Sequence, residues 1–233
     1  MSESNTQPAP TRGKILAISH TKGGVSKTTT SVLVAWGLQE IKGIRTALLD
    51  ADSQSQAQSW IKAAPEDKRL AVDVFSMAGS ERTLLQELER LSLEYDAVIV
   101  DLPNSLSERA PMSCLMVADA VISPTRAAAP DLRAILDTIS IVTTAQRVNS
   151  SLRHFVIVTM YRRTKTADRV IGLLHHLGTP LMRTRIGDRT SFQIAAEIGS
   201  VPQMMGSAHR VAAEEVASAL DEIWSILFEQ EKQ

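Results

Sequence analysis

The chain has 233 residues, 44% hydrophobic and 22% charged, with 25 basic side chains against 26 acidic ones. That length allows one large domain or two small ones and is ample for a real core. No uninterrupted apolar stretch approaches the ~20 residues of a membrane-spanning helix, and a lone Cys114 can build neither an internal disulfide nor a zinc or iron–sulfur site. Residues 1–13 are polar and lack the apolar middle of a secretory signal, so a flexible tail on a cytoplasmic protein is expected. The net charge of -1 argues at first sight against a nucleic-acid binder, but it is an average. Ser151 to Arg210 carries nine Lys/Arg and three Asp/Glu, a balance of +6, which leaves 16 basic and 23 acidic groups elsewhere, or -7.

Short apolar runs alternate with helix-length amphipathic stretches. Candidate strands are Lys14–Ser19, Thr46–Leu49, Val72–Phe75, Ala97–Val100, Ala120–Ser123 and Phe155–Thr159, with a weaker one at Leu181–Arg185. They are short, β-branched and apolar throughout, as strands buried on both faces of a parallel sheet must be. Helical patterns cover Lys27–Gln39, Ser55–Ile61, Glu81–Leu91, Ala110–Ala118, Leu132–Arg147, Thr166–Leu177 and Val211–Phe228. The last carries an apolar stripe of Val216, Leu220, Ile223, Trp224 and Leu227. Regular alternation predicts a doubly wound α/β fold, a mostly parallel sheet flanked by helices, in a single domain over residues 14–233.

Directly after the first strand comes His20-Thr21-Lys22-Gly23-Gly24-Val25-Ser26-Lys27-Thr28-Thr29-Thr30, and then a helix. Strand, glycine-containing loop, Lys-Thr and helix form the setting of a phosphate-binding loop. There, backbone N–H groups curl round phosphates at a helix N-terminus. Lys27 is placed to reach the β- and γ-phosphates, and the Thr28 hydroxyl to ligate Mg²⁺. The common form G-x-x-x-x-G-K-[ST] is broken twice, by Thr21 and Ser26.

These residues resemble a variant loop, the deviant Walker A pattern K-G-G-x-G-K-[ST]-T of the ParA/MinD family of dimerising P-loop ATPases. By that resemblance Lys22 is the signature lysine that crosses a dimer interface to the partner's nucleotide. The rest of the loop, Gly23, Gly24, Val25, Ser26, Lys27, Thr28 and Thr29, binds the phosphates. Ser26 departs from the family, which has glycine there because a Cβ resists positive φ and crowds the phosphates. A cost of ~1 kcal/mol and slow hydrolysis are expected.

Two further strands end in carboxylates, where the ligand crevice of such a sheet lies. Leu48-Leu49-Asp50-Ala51-Asp52-Ser53-Gln54 resembles the family's D-x-D-P-Q motif, with Ser53 for proline. The match implies that Asp52 orients the attacking water and that Asp50 sits nearer the sheet. Val98-Ile99-Val100-Asp101-Leu102-Pro103 resembles a Walker B strand, whose Asp101 supports the Mg²⁺ shell.

The resemblance extends from Lys14 to Phe228. Val121–Arg126 followed by Pro130-Asp131-Leu132 resembles the family's strand-proline segment and next helix. Val156 to Lys165 resembles its sixth strand and the loop near the adenine, which places Met160 beside the base. Thr184–Arg189, Phe192, Ala195–Glu197 and Gly199–Val201 resemble the C-terminal pattern of the short ParA proteins. The first strand starts too early for the helix-turn-helix domain of the longer members. Short ParA proteins bind DNA without sequence preference, as ATP-bound dimers, through basic residues in their C-terminal part. Arg162, Arg163, Lys165, Arg169, Arg183, Arg185 and Arg189 occupy that region here.

The resemblance therefore implies an ATP- and Mg²⁺-dependent ATPase that forms a nucleotide-sandwich homodimer and associates with the nucleoid. It would partition a plasmid or chromosomal locus, its hydrolysis stimulated by a ParB-like or cargo-adaptor protein. Two alternatives stand beside it: a relative that positions a protein assembly, and a metabolic ATP-dependent enzyme of the same fold. A MinD-like membrane helix is not expected, since residues 225–233 hold two acids and one base. Cys114, in an apolar helical pattern, reads as a buried structural residue.

Overall fold

The computed structural model describes residues 12–77, 80, 82–104 and 109–229. Chain order is β1 (Lys14–Ile18), α1 (Lys27–Glu40), β2 (Thr46–Asp50), α2 (Gln56–Ala63), β3 (Asp73–Ser76), α3 (Leu84–Glu94), β4 (Ala97–Asp101) and α4 (Arg109–Val117). It continues with β5 (Ala120–Arg126), α5 (Ala129–Gln146), β6 (Arg153–Tyr161), α6 (Lys165–His176), β7 (Leu181–Gly187), α7 (Thr190–Ile198) and α8 (Arg210–Phe228). Among the described residues, seven strands form one parallel sheet in the order β3-β2-β4-β1-β5-β6-β7. The expected doubly wound fold and its strands are present.

The sheet is buried on both faces, which explains why its central strands lack alternation. On one face α1, α2, α7 and α8 pack on Leu16, Ile18, Leu48, Ile99 and Ile122. On the other, α3 and α4 cover Ile15, Ala17, Leu49, Val98 and Val100, with buried Cys114 among them. Helix α1 is buried from Thr30 to Leu38, so its apolar residues run all round rather than along a stripe. Pro124 is tolerated inside β5 because β1 ends first. Ser19 N–H still donates to the Ile122 carbonyl at 3.0 Å, and beyond it no strand needs a donor from Pro124.

The sequence reading assigns no helix to Thr190–Ile198, where the structure has α7. The element is short, and Arg189 at its start supplies no side-chain cap. Its end is better marked. Gly199 has φ 67° and lies against α2, where an added Cβ would sit 2.3 Å from the Ala64 nitrogen. Of the expected tail, only residues 12 and 13 are described: Arg12 pairs with Asp119, and Gly13 N–H donates to the Ser92 carbonyl. The start of the expected helix at Glu81 and the last four residues of the C-terminal reading lie outside the described residues. Among the described residues no helix is long and apolar enough to cross a membrane.

Candidate nucleotide-binding site

Strand order reverses beside β1, so the crevice at its carboxyl end is the topological switch point where ligands of such sheets bind. The loop from Ser19 to Ser26 lies there and feeds directly into α1. Two of its residues take the left-handed conformation, Gly24 at φ 71° and Ser26 at φ 69°, ψ 32°. For Ser26 that conformation costs about 1–2 kcal/mol. It is offset locally: the Ser26 carbonyl accepts the Thr30 N–H at 2.9 Å and its hydroxyl at 2.8 Å. No atom stands within 4 Å of a Cβ built on Gly24. Val25 is fully buried, and its carbonyl accepts from the Thr159 hydroxyl on β6 at 3.0 Å.

Lys27 opens α1 and is almost completely buried. Its ammonium donates to the Lys22 carbonyl at 3.4 Å and to the Asn104 side-chain oxygen. Burial pulls its pKa below the ordinary lysine value, against the opposing attraction of Asp101 and Asp52. A buried cation satisfied by neutral oxygens fits a site for an anion. Thr28 donates to Asp101 Oδ2 at 2.7 Å, and Ser31 donates to its other oxygen at 2.9 Å. Burial pushes the Asp101 carboxyl up to about 6, although both hydroxyl donors favour its charge.

Asp50 is fully buried at the end of β2 and accepts N–H groups from Asp52 and Gln58 at 3.2 and 3.1 Å. Burial raises its pKa as well. It therefore organises the β2–α2 turn, while half-buried Asp52 faces the cleft. His20, beneath the loop, accepts the Lys22 N–H at 2.9 Å. Burial, and then Lys27, push its pKa down to about 4, so it supplies an acceptor and no charge.

A cleft of about 380 Å³ joins these residues, lined by Gly23, Gly24, Ser26, Lys27, Thr28, Thr29 and Asp52. Met160, Ile186 and Phe192 also line it, interspersed with Asp188, Arg189 and Gln193. Met160 holds φ 48° at the end of β6. Lys22 is the predicted residue that the structure keeps apart. Its ammonium turns away from the cleft to Asp131, in the first turn of α5. Sequence reasoning missed Asn104, whose only signal is a polar residue three positions after Asp101. It also missed that Lys22 and Arg126 both pair with Asp131, which is far from the loop in sequence.

The seven basic residues separate into two sets. Arg162, Arg163, Lys165, Arg169, Arg183 and Arg185 are exposed on the β6–α6 turn, on α6 and along β7. Arg162 meets Asp188 at 2.6 Å, and Arg185 lies 4.9 Å over the Tyr161 ring. Arg189 instead lines the cleft and grips Glu215 with two bonds, of 2.9 and 2.6 Å.

Parallel sheet, switch-point loop, buried lysine and strand-end carboxylates together define a P-loop nucleotide-binding domain. Residues 16–201 match the family model described as the CobQ/CobB/MinD/ParA nucleotide binding domain, and the chain belongs to that family as a ParA/MinD-type ATPase. It is 26% identical over 209 residues to the maintenance of carboxysome distribution protein A of Halothiobacillus neapolitanus, across 89% of this chain and 95% of that one. With the chromosome partitioning protein ParA of Myxococcus xanthus it shares 28% over 202 residues, 69% of this chain and 70% of that one. A solved ATP complex of a McdA variant from Cyanothece has the same fold, with a TM-score of 0.73 at 18% identity, covering 96% and 100% of the two chains.

Proposed function

We propose that this chain is a Mg²⁺-dependent ATPase whose ATP-bound form is a sandwich homodimer that binds DNA without sequence preference and positions a cargo. The observation that carries this reading is the pair of lysines on one loop. Lys27 lines the cleft, whereas Lys22 turns away from it to Asp131 with its side chain still 37% exposed. A single subunit has use for one of them at its own phosphates; the second serves a nucleotide held by another copy.

The residues present fit Mg²⁺–ATP. Thr28 and Asp101 lie together beside the loop, an oxygen pair of the kind Mg²⁺ takes alongside phosphate oxygens and water. Bound there, the ion would neutralise phosphate charge. Backbone N–H groups of Gly23 to Thr28 hold the phosphates, Lys27 adds charge to them, and Asp52 orients a water for attack. Met160, with Ile186 and Phe192 of the cleft lining, receives the base. The exposed arginines and Lys165 on α6 and β7 supply phosphate contacts to DNA, which makes binding salt-dependent.

The cargo has two readings. The carboxysome-distribution relative favours a protein assembly, and the chromosome-partitioning relative favours a nucleic-acid locus. In either case an adaptor protein on the cargo stimulates hydrolysis and dissolves the dimer. Gel shifts on random duplex, with and without ATP at low and moderate salt, test the common part. ATP-dependent, salt-sensitive binding is expected, retained longer by Asp52→Ala, which should trap the ATP-bound dimer. No binding at any salt would favour a metabolic enzyme of the same fold, and parental hydrolysis by Asp52→Ala would remove that residue's role.

A further inference from the structure

Asp131 has no exposed surface, yet two cations reach it from solvent-facing positions. Arg126, at the end of β5, grips it in fork geometry, with Nε on Oδ2 at 2.8 Å and Nη2 on Oδ1 at 3.0 Å. Lys22 donates to Oδ1 as well. Burial alone would raise the Asp131 pKa, but the bonds from Arg126 and Lys22 outweigh it and hold the group below the usual carboxylate range. The site therefore holds one negative charge and two positive ones. Arg126 already satisfies both carboxylate oxygens, so Lys22 is surplus to Asp131.

Thr21, next to Lys22, is tied to α5. Thr21 N–H donates to the Thr138 hydroxyl at 3.1 Å, and the Thr21 hydroxyl donates to the Ala134 carbonyl at 2.9 Å, both on α5. The Lys22 and Arg126 side chains are each about one-third exposed, at 37% and 36%.

We propose that Arg126 is a positioning residue that lets Lys22 change partners. In the free subunit Asp131 parks Lys22, and in the ATP-bound dimer Lys22 leaves for the other subunit's phosphates. Asp131 is not stranded as a bare buried carboxylate, because the Arg126 fork stays behind. Asp131 thus restrains dimerisation and Arg126 permits it, so removing each should act in opposite directions. This inference rests on the dimer reading above.

The test is sedimentation of the full chain with Mg²⁺ and a non-hydrolysable ATP analogue. Asp131→Asn should tighten the dimer about fivefold, and Arg126→Gln should weaken it on the order of tenfold. Arg126→Lys should recover part of that loss. The double variant Arg126→Gln/Asp131→Asn, which leaves no charge buried alone, should dimerise at least as tightly as the parent chain, and it decides the matter if Arg126→Gln does not fold. An Asp131→Asn chain that fails to tighten, an Arg126→Gln chain that dimerises like the parent, or a weakened double variant overturns the exchange while leaving the dimer reading intact. A parent chain that stays monomeric with nucleotide overturns the dimer reading and the exchange with it.

Discussion

The Thr28 hydroxyl donates to Asp101 Oδ2 at 2.7 Å, which joins the first turn of α1 to the end of β4. Asp101 is 1% exposed, and its carboxyl is raised from 3.8 to about 6 by burial. A carboxyl raised in the fold keeps its proton there while the unfolded chain has already lost one. Its contribution is therefore most favourable below about pH 4 and is lost as pH rises through about 6. Asp101→Asn removes that penalty and should stabilise the nucleotide-free protein by about 1 kcal/mol at pH 7. The same change should weaken Mg²⁺-dependent ATP binding more than tenfold, since a charged oxygen ligand is gone. Urea unfolding and ATP titration with and without Mg²⁺ check both halves; a destabilised variant would contradict the first.

Ser26 stands at φ 69°, where only glycine is free of side-chain strain. Ser26→Gly should relieve about 1 kcal/mol, partly offset by the greater freedom of glycine in the unfolded chain. A rise in melting temperature of up to about 4 °C is expected. Ser26→Val should lower it, because a β-branched side chain resists this conformation more strongly. If glycine melts no higher than serine, the loop is not strained at this position.

At the free edge of the sheet, Glu222 of α8 accepts the N–H groups of Arg183 and Thr184, at 2.8 and 2.6 Å. Glu215, two turns earlier, accepts Gly187 N–H at 3.0 Å. These carboxylates occupy donors on β7 that would otherwise invite another strand. Glu222→Ala should cost about 2 kcal/mol and expose the edge. Urea unfolding gives the first effect, and concentration-dependent light scattering gives the second. A variant as stable and as monodisperse as the parent would show that the edge needs no cover.

The elements most legible in the sequence were those whose signal is local. Short apolar runs mark all seven strands of the described sheet, and the glycine-containing loop from Gly23 to Thr28 is legible from adjacent residues alone. Helix α7 was not legible, because it is nine residues long and starts without a side-chain cap. Arg189 counts as surface charge in a composition sum, yet a bidentate bond to Glu215, 26 positions away, draws it to the cleft. The clasp on Lys22 spans 109 positions. Periodicity reports which face a residue takes, but not which distant charge it meets there.

His154 on β6 is 8% exposed and shares a hydrogen bond of 2.9 Å with the Ser123 hydroxyl of β5. Burial pushes its pKa down from 6.5 to about 4, so the ring stays neutral inside the fold. The unfolded chain takes up a proton first as pH falls, so the stability His154 contributes is complete above about pH 6.5 and is lost towards pH 4. By pH 5 the loss from this one group is about 2 kcal/mol. His154→Gln keeps a hydrogen-bonding side chain beside Ser123 but does not titrate. Its urea stability should fall less between pH 7 and pH 5 than the parent's, by about 2 kcal/mol. His20, also held near 4, leaves its own acid sensitivity in both proteins and so does not obscure the difference. Equal losses in parent and variant would mean that His154 accepts its proton without unfolding.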